Sequence, residues 1–290
     1  MTRTDPANSP ANGPVFGRAD RRADRPGSGP APDAALDPAG GLAADLAAGL
    51  AAELSGLAAD APPGLLDRIA ARRVRVPGPL PDLHVAFTDR GVAFLRAGLD
   101  AEAFTAAFRE RFARPLLPAD RPPAGLLPAL RAGRPAGVPL DLRGLTEFEA
   151  AVLRAAAAIP RGQIRPYAWV AREAGHPRAV RAVGTALGRN PVPLLIPCHR
   201  VTRSDGSAGQ YVFGDDAKLR LLRGEDVDVD AVADLARRGT RLIGSGTTGI
   251  VCYPTCGDAR RITPAHRRGF ANLAAARAAG YRPCARCRPA

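Results

Sequence analysis

The chain has 290 residues, of which 46% are hydrophobic and 24% charged, with a formal net charge of +13. That is enough apolar material for more than one globular core, and no run approaches the roughly 18 apolar residues of a membrane-spanning helix. Lys218 is the only lysine, so the excess charge is arginine, which suits either a phosphate-bearing partner or an arginine-rich coding bias.

Residues 1–40 are rich in Pro, Gly and charge and lack the apolar core of an export signal. They read as a disordered tail, and the protein is expected in a reducing cytoplasm. Residues 41–75 space their leucines helically and read as a helical segment of no assigned role. "PDLHVAFTDRGVAFLRAG" then reads as a hairpin turning at Asp89, Arg90 and Gly91. His84 falls on its first strand and reads as a strand residue. Phe104, Phe108 and Phe112 stand four apart, a helical stripe. Residues 76–140 are thus expected to form an α/β lobe.

A second domain is expected over 141–226. Thr146 with Glu149 three residues on is a capping box, in which hydroxyl and carboxylate satisfy amides at a helix start. "QIRPYAWVAREAG" gives a short extended piece and a short helix, and "HPRAVRAVGTALGRN" a second helix after Pro177. Helix, turn, helix with small residues on the second is a shape shared by DNA-reading modules and by ordinary packed helix pairs. Near the end of "NPVPLLIPCHRV" stands a lone cysteine, Cys198, followed by His199. An isolated thiol is most often a small core residue, whereas a nucleophilic one needs a base or cation beside it.

Residues 227–240 read as an acidic linker running into a short helix, and 241–290 as a separate small domain. From Gly257 onward there are eight arginines and one acid, Asp258. Cys252 and Cys256 are four apart, and Cys284 and Cys287 three apart. Paired spacing with Pro254 and Pro283 alongside points to one tetrahedral four-thiolate site for Zn2+, a staple for a module with so small a core. Unrelated thiols or two disulfides are the alternatives.

"TTGIVCYPTC" and "AAGYRPCARCRP" closely resemble the metal-binding domain of Ada-type DNA repair proteins. The resemblance implies that Cys252 accepts a methyl group from a methylated backbone phosphate while metal-bound, with Arg260, Arg261, Arg267 and Arg268 as phosphate contacts. The chain departs from that pattern at Tyr253, where the family has arginine, and in the loop "GDARRITPAHRRGF". The four cysteines fill the coordination shell, leaving His266 on the surface.

"IPCHRV" is similar to the signature of the O6-alkylguanine-DNA alkyltransferases. The likeness extends over roughly Pro81 to Glu225, through "HVAFTDRGVAFLRAG", "LTEFEAAVLRAAAAIPRGQ" and "SDGSAGQY". It implies an RNase H-like α/β N-lobe, a mostly α winged-helix-like catalytic domain and, after it, a zinc-stapled α+β domain. By the same resemblance, Cys198 is the alkyl acceptor, His199 its base and Glu225 the group that orients the histidine. Tyr167 assists the leaving guanine, Asn190 braces the turn presenting the cysteine, and Arg181 fills the gap left by a flipped base. The implied partner is double-stranded DNA carrying alkylated guanine. The implied cofactor is one Zn2+, with no membrane and a monomeric chain. Val212 and Phe213 beside the pocket leave the accepted alkyl groups open. A non-catalytic lesion binder and a zinc-stabilised DNA-binding regulator are the other classes weighed.

Overall fold

The computed structural model describes Gly49, Pro62 and residues 64–289. Residues 1–40 and most of 41–61 lie outside the described residues, and with them the expected tail. The residues from Pro62 onward form one unit. It opens with a single helical turn, α1 (Leu65–Ile69).

The expected helical segment stops there. Ala71–Val76 is a strand, β1, a correction to the expectation of helix up to residue 75. The reason is the short alternation Val74, Arg75, Val76, which buries the valines and exposes the arginine. β1 is also captured from both sides. It pairs antiparallel with β2 (Leu83–Thr88) and parallel with β4 (Leu116–Pro118). β2 turns through Asp89 and Arg90 into β3 (Gly91–Arg96), as expected, and the sheet order is β3-β2-β1-β4.

One sheet face carries α2 (Ala101–Phe112). Asp100 caps it, accepting from the amides of Glu102 and Ala103. Phe104 and Phe108 are buried against Phe94, Ala71, Ala86 and Leu116, with Phe112 at the margin, so the stripe is the helix's core face. His84 stacks on Phe104 at 5.3 Å between ring centroids. The opposite face, with Val74, Val85, Val92 and Leu95, joins the core of the following domain. A short helix, α3 (Leu126–Ala132), ends at Gly133 with φ 60°.

The second domain packs α4 (Glu147–Ala157), α5 (Tyr167–Glu173) and α6 (Val180–Gly188) against one another. The capping box of Thr146 and Glu149 is formed in both directions. α5 and α6 meet through Gly175, whose φ of 83° suits glycine. Between α4 and α5 lies β5 (Arg165–Pro166), parallel to β6 (Val201–Thr202). That pairing positions the site, because Tyr167 follows β5 directly while Cys198–Arg200, one 3-10 turn, precedes β6 directly. α7 (Asp215–Gly224) then leads to Glu225 at its C-cap.

α8 (Val229–Arg237), capped by Asp228, leads to a second sheet of order β10-β8-β7-β9. It comprises β7 (Leu242–Ser245), β8 (Ile250–Cys252), β9 (Arg267–Phe270) and β10 (Arg282–Pro283). Two short helices, α9 (Gly257–Arg260) and α10 (Leu273–Ala278), complete it. This module does not hang from a linker. Leu242, Ile243, Val251 and its cysteines share one apolar cluster with Trp169 and Val170. Its contacts are also polar: the Trp169 Nε1–H donates to the Cys287 carbonyl at 2.9 Å, and the Ile164 amide to Thr255 Oγ1 at 3.0 Å. No helix among the described residues is long and apolar enough to cross a membrane.

Candidate active site and metal centre

Asn190 to Ile196 form a tight loop in which Leu194 is held at φ 75° while buried, a conformation that costs a non-glycine residue about 1–2 kcal/mol. Asn190 holds it. Its Nδ2 donates to the Ile196 carbonyl at 2.9 Å, and its Oδ1 accepts from the Val192 amide at 3.0 Å. The same Nδ2 also lies 3.3 Å from Cys198 Sγ. The expected bracing role is therefore incomplete, since Asn190 also offers a proton to the sulfur. From the N-lobe, the Leu95 amide donates to the Pro191 carbonyl at 2.9 Å. Arg96 Nη1 reaches that carbonyl too, at 3.3 Å.

Cys198 is 6% exposed. Burial pushes its thiol up, while the Asn190 amide and the charges of Lys218 and Arg96 pull it back. The resting form is a thiol, and ionisation needs a base. His199 is buried beside it, with Nε2 3.0 Å from Glu225 Oε1. Burial lowers its pKa despite the carboxylate, so the imidazole rests neutral and Nε2–H points at Glu225. Nδ1 is buried and has no hydrogen-bond partner among the described residues. A neutral ring protonated on Nε2 presents Nδ1 as an acceptor, the state a general base requires.

Glu225 is fixed in turn by Arg200, whose Nε donates to Oε2 at 2.8 Å and Nη2 to Oε1 at 2.7 Å. Burial alone would raise the carboxyl, but the bonds from His199 and Arg200 outweigh it and hold it at about 2. Arg200 is 1% exposed and also donates to the carbonyls of Ile159 (2.7 Å) and Gly133 (2.8 Å). The motif reading passed over Arg200, although it stands next to His199 within "IPCHRV".

A cleft of about 770 Å³ brings Cys198 together with Tyr167, Arg181, Arg203 and Tyr211, a size suited to a small organic group. One wall is the exposed face of α6, where Gly184 and Gly188 leave the backbone open. Arg181 is exposed at its rim. Burial and the nearby Cys198 raise the Tyr167 pKa, so its phenol stays protonated. Tyr211 was also passed over. Its hydroxyl is buried without a partner among the described residues, and its pKa is pushed well up by burial. Lys218, the single lysine, is fully buried under the cysteine turn and donates to the carbonyls of Val201 (2.6 Å) and Ala208. Burial lowers its pKa to about 8.

The second cluster is metallic in character. One ligand atom from each of Cys252, Cys256, Cys284 and Cys287 lies within 4.8 Å of the others, all four are buried, and none is in a disulfide. Four buried thiols gathered this closely are the soft tetrahedral donor set that Zn2+ takes as thiolates, so the residues fit one Zn2+. Arg261, Arg267 and Arg268 are exposed on this module. Arg260 is exposed as well and has protein partners besides. Its Nη2 donates to the carbonyls of Gly162 and Asp226, at 3.1 Å for the latter, a clasp onto the neighbouring domain.

Residues 147–227 match the family described as 6-O-methylguanine DNA methyltransferase, DNA binding domain, and residues 232–290 match the metal binding domain of Ada. The second match starts inside α8, nine residues before the expected boundary at 241. A methylated-DNA–protein-cysteine methyltransferase of Methanothermobacter thermautotrophicus is 48% identical over 91 residues, 31% of this chain and 51% of the relative. The bifunctional transcriptional activator/DNA repair enzyme Ada of Escherichia coli is 34% identical over 151 residues, 49% of this chain and 41% of the relative. The chain thus spans about half the length of the curated relatives it matches. The crystal structure of Mycobacterium tuberculosis OGT in complex with DNA is 30% identical, covering 56% of this chain and 98% of that one, with a TM-score of 0.45.

Proposed function

Since residues 147–227 belong to the 6-O-methylguanine DNA methyltransferase DNA-binding family and residues 232–290 to the Ada metal-binding family, we propose that this protein repairs DNA by moving an alkyl group from O6-alkylguanine to its own Cys198. The observation that carries the reading is the buried line Arg200–Glu225–His199 behind a cysteine that opens on the Tyr167 cleft. A thiol, a neutral imidazole with a free Nδ1 and a carboxylate fixed as an anion are the parts of an activated nucleophile.

The step runs as follows. The Cys198 proton passes to His199 Nδ1 through a bridging water, and Glu225 stabilises the imidazolium. The sulfur forms a bond to the alkyl carbon as the bond from that carbon to guanine O6 breaks. The departing guanine takes a proton from the protonated phenol of Tyr167, with Tyr211 as a second donor into the same cleft. Such donation spares the guanine from leaving as an anion. The resulting thioether is not hydrolysed, so each molecule acts once. The alkylated carbon lies on a base edge inside the duplex and must be swung out, at a cost of a few kcal/mol. Arg181 on exposed α6 is read as the residue that fills the gap, and α6 as the element laid against the DNA.

We read the N-lobe as RNase H-like, the 141–226 domain as winged-helix-like, and the protein as a cytoplasmic monomer. The four cysteines hold Zn2+, which when bound keeps its thiolates ionised and ties the module together. Cys252 is read as a ligand first, since it is 1% exposed. Arg260, Arg261, Arg267 and Arg268 are read as the phosphate contacts of this module.

The test is incubation of the full chain with an oligonucleotide bearing O6-methylguanine, followed by peptide mass spectrometry. The expected result is one added methyl on the peptide carrying Cys198, absent in C198S. No uptake by folded parent protein would support a lesion binder or regulator instead. A methyl phosphotriester substrate in the same assay reads Cys252.

A further inference from the structure

Arg165 is a buried cation with no obvious reason to be there. It sits on β5, two residues before Tyr167, and is 2% exposed. A charge taken that far from water needs a counter-charge or a full set of hydrogen bonds. Arg165 has neither within its own domain. Its Nη1 donates to the Ile164 carbonyl at 2.7 Å and its Nη2 to Gln163 Oε1, both neutral acceptors. Nε has no partner, and no carboxylate pairs with the guanidinium, among the described residues.

What surrounds the guanidinium comes partly from the other module. It lies 5.7 Å from the Trp169 ring centroid and 5.2 Å from that of Tyr253, the residue after Cys252. Burial lowers its pKa, and the groups that raise it are Cys287, Cys256, Tyr253 and Cys284. Tyr253 directly follows Cys252, and Trp169 holds the Cys287 carbonyl, so the guanidinium is packed against residues that flank the metal-ligating cysteines. As neutral thiols these cysteines offer little, but a divalent ion on four thiolates leaves a net dianion.

We propose that Arg165 is the counter-cation of the metal centre, supplied by the alkyltransferase domain, so that metal occupancy and the seating of β5 are coupled. The inference rests on the four-cysteine site holding zinc. It makes the last module part of the repair domain's stability, since an emptied, protonated cluster leaves Arg165 buried without compensation. It also accounts for the clasp around the same junction, with Trp169 on the Cys287 carbonyl, Thr255 on Ile164 and Arg288 paired with Glu173.

The experiment measures zinc affinity of the full chain by chelator competition, for the parent, R165Q and R165K. R165Q should bind zinc about 10–100-fold more weakly, the range for loss of a group supporting metal ligands. R165K, which restores the charge without the planar fork, should lie between. Equal affinity in parent and folded R165Q overturns the pairing and leaves the zinc site standing. A parent that takes up no zinc overturns the four-thiolate site itself, and the pairing with it. Should R165Q fail to fold, hydrogen exchange on the parent decides. Chelation should release protection in peptides spanning residues 163–173 as well as 242–289, and release confined to 242–289 overturns the coupling.

Discussion

His199 commits Nε2 to Glu225 at 3.0 Å, which leaves Nδ1 as the ring nitrogen able to take the Cys198 proton. The carboxylate therefore sets the tautomer and orientation of the histidine, while burial outweighs it in setting the basicity. That carboxylate is set by Arg200.

Because burial lowers the His199 pKa, the base stays neutral below the usual histidine range. The rate of methyl transfer should hold level from neutral pH down to about 6.5 and fall only below that. A rate profile against pH with a midpoint above the ordinary histidine value would contradict it.

Glu225 makes a stability prediction with a definite sign. Its carboxyl is held at about 2 against an ordinary 4.5, so its contribution is fully present above about 4.5 and is lost as pH falls toward 2. The shift corresponds to about 3 kcal/mol. Urea unfolding across this window should show a steep loss in the parent and a shallower one in E225Q, which is already weaker at neutral pH.

Removing Arg200 should be among the most damaging single changes. R200M strips a buried carboxylate of its fork and frees the carbonyls of Ile159 and Gly133, a loss of about 3–5 kcal/mol. R200K should fail to restore it, since lysine cannot make the bidentate pair. Denaturant midpoints for both variants check this.

Gly133 guards the same relay. A Cβ there would stand 2.5 Å from Arg200 Nη2 and 3.0 Å from Glu225 Oε1, on a backbone at φ 60°. G133A should lose about 1–3 kcal/mol and transfer methyl groups more slowly, both read on one purified sample.

Arg181 separates base extrusion from chemistry. R181A should transfer from duplex DNA about tenfold more slowly while its rate with the free base O6-methylguanine stays at the parent value. Equal losses on both substrates would place Arg181 in the chemical step instead.

Much of this was legible in the residues themselves. The capping box at Thr146, the phenylalanine stripe of α2 and the hairpin at Asp89 are local patterns, fixed by contacts three or four residues apart or across one turn. The paired spacing of the four cysteines pointed to a metal, whereas "IPCHRV" pointed to a nucleophile only through its resemblance to a known family. β1 was missed because two valines and a few arginines say little until β2 and β4 supply hydrogen bonds from both sides.

The groups that make the site work come from far apart in the chain. Arg200 across Glu225, Lys218 beneath the turn and Arg165 against another module's Tyr253 each depend on segments brought together only by folding. Sequence determined which atoms could react, because reactivity belongs to residue type and its immediate neighbours. Tertiary structure alone decided which charges are buried and what faces them, because burial and electrostatic pairing are properties of the packed interior and have no address along the chain.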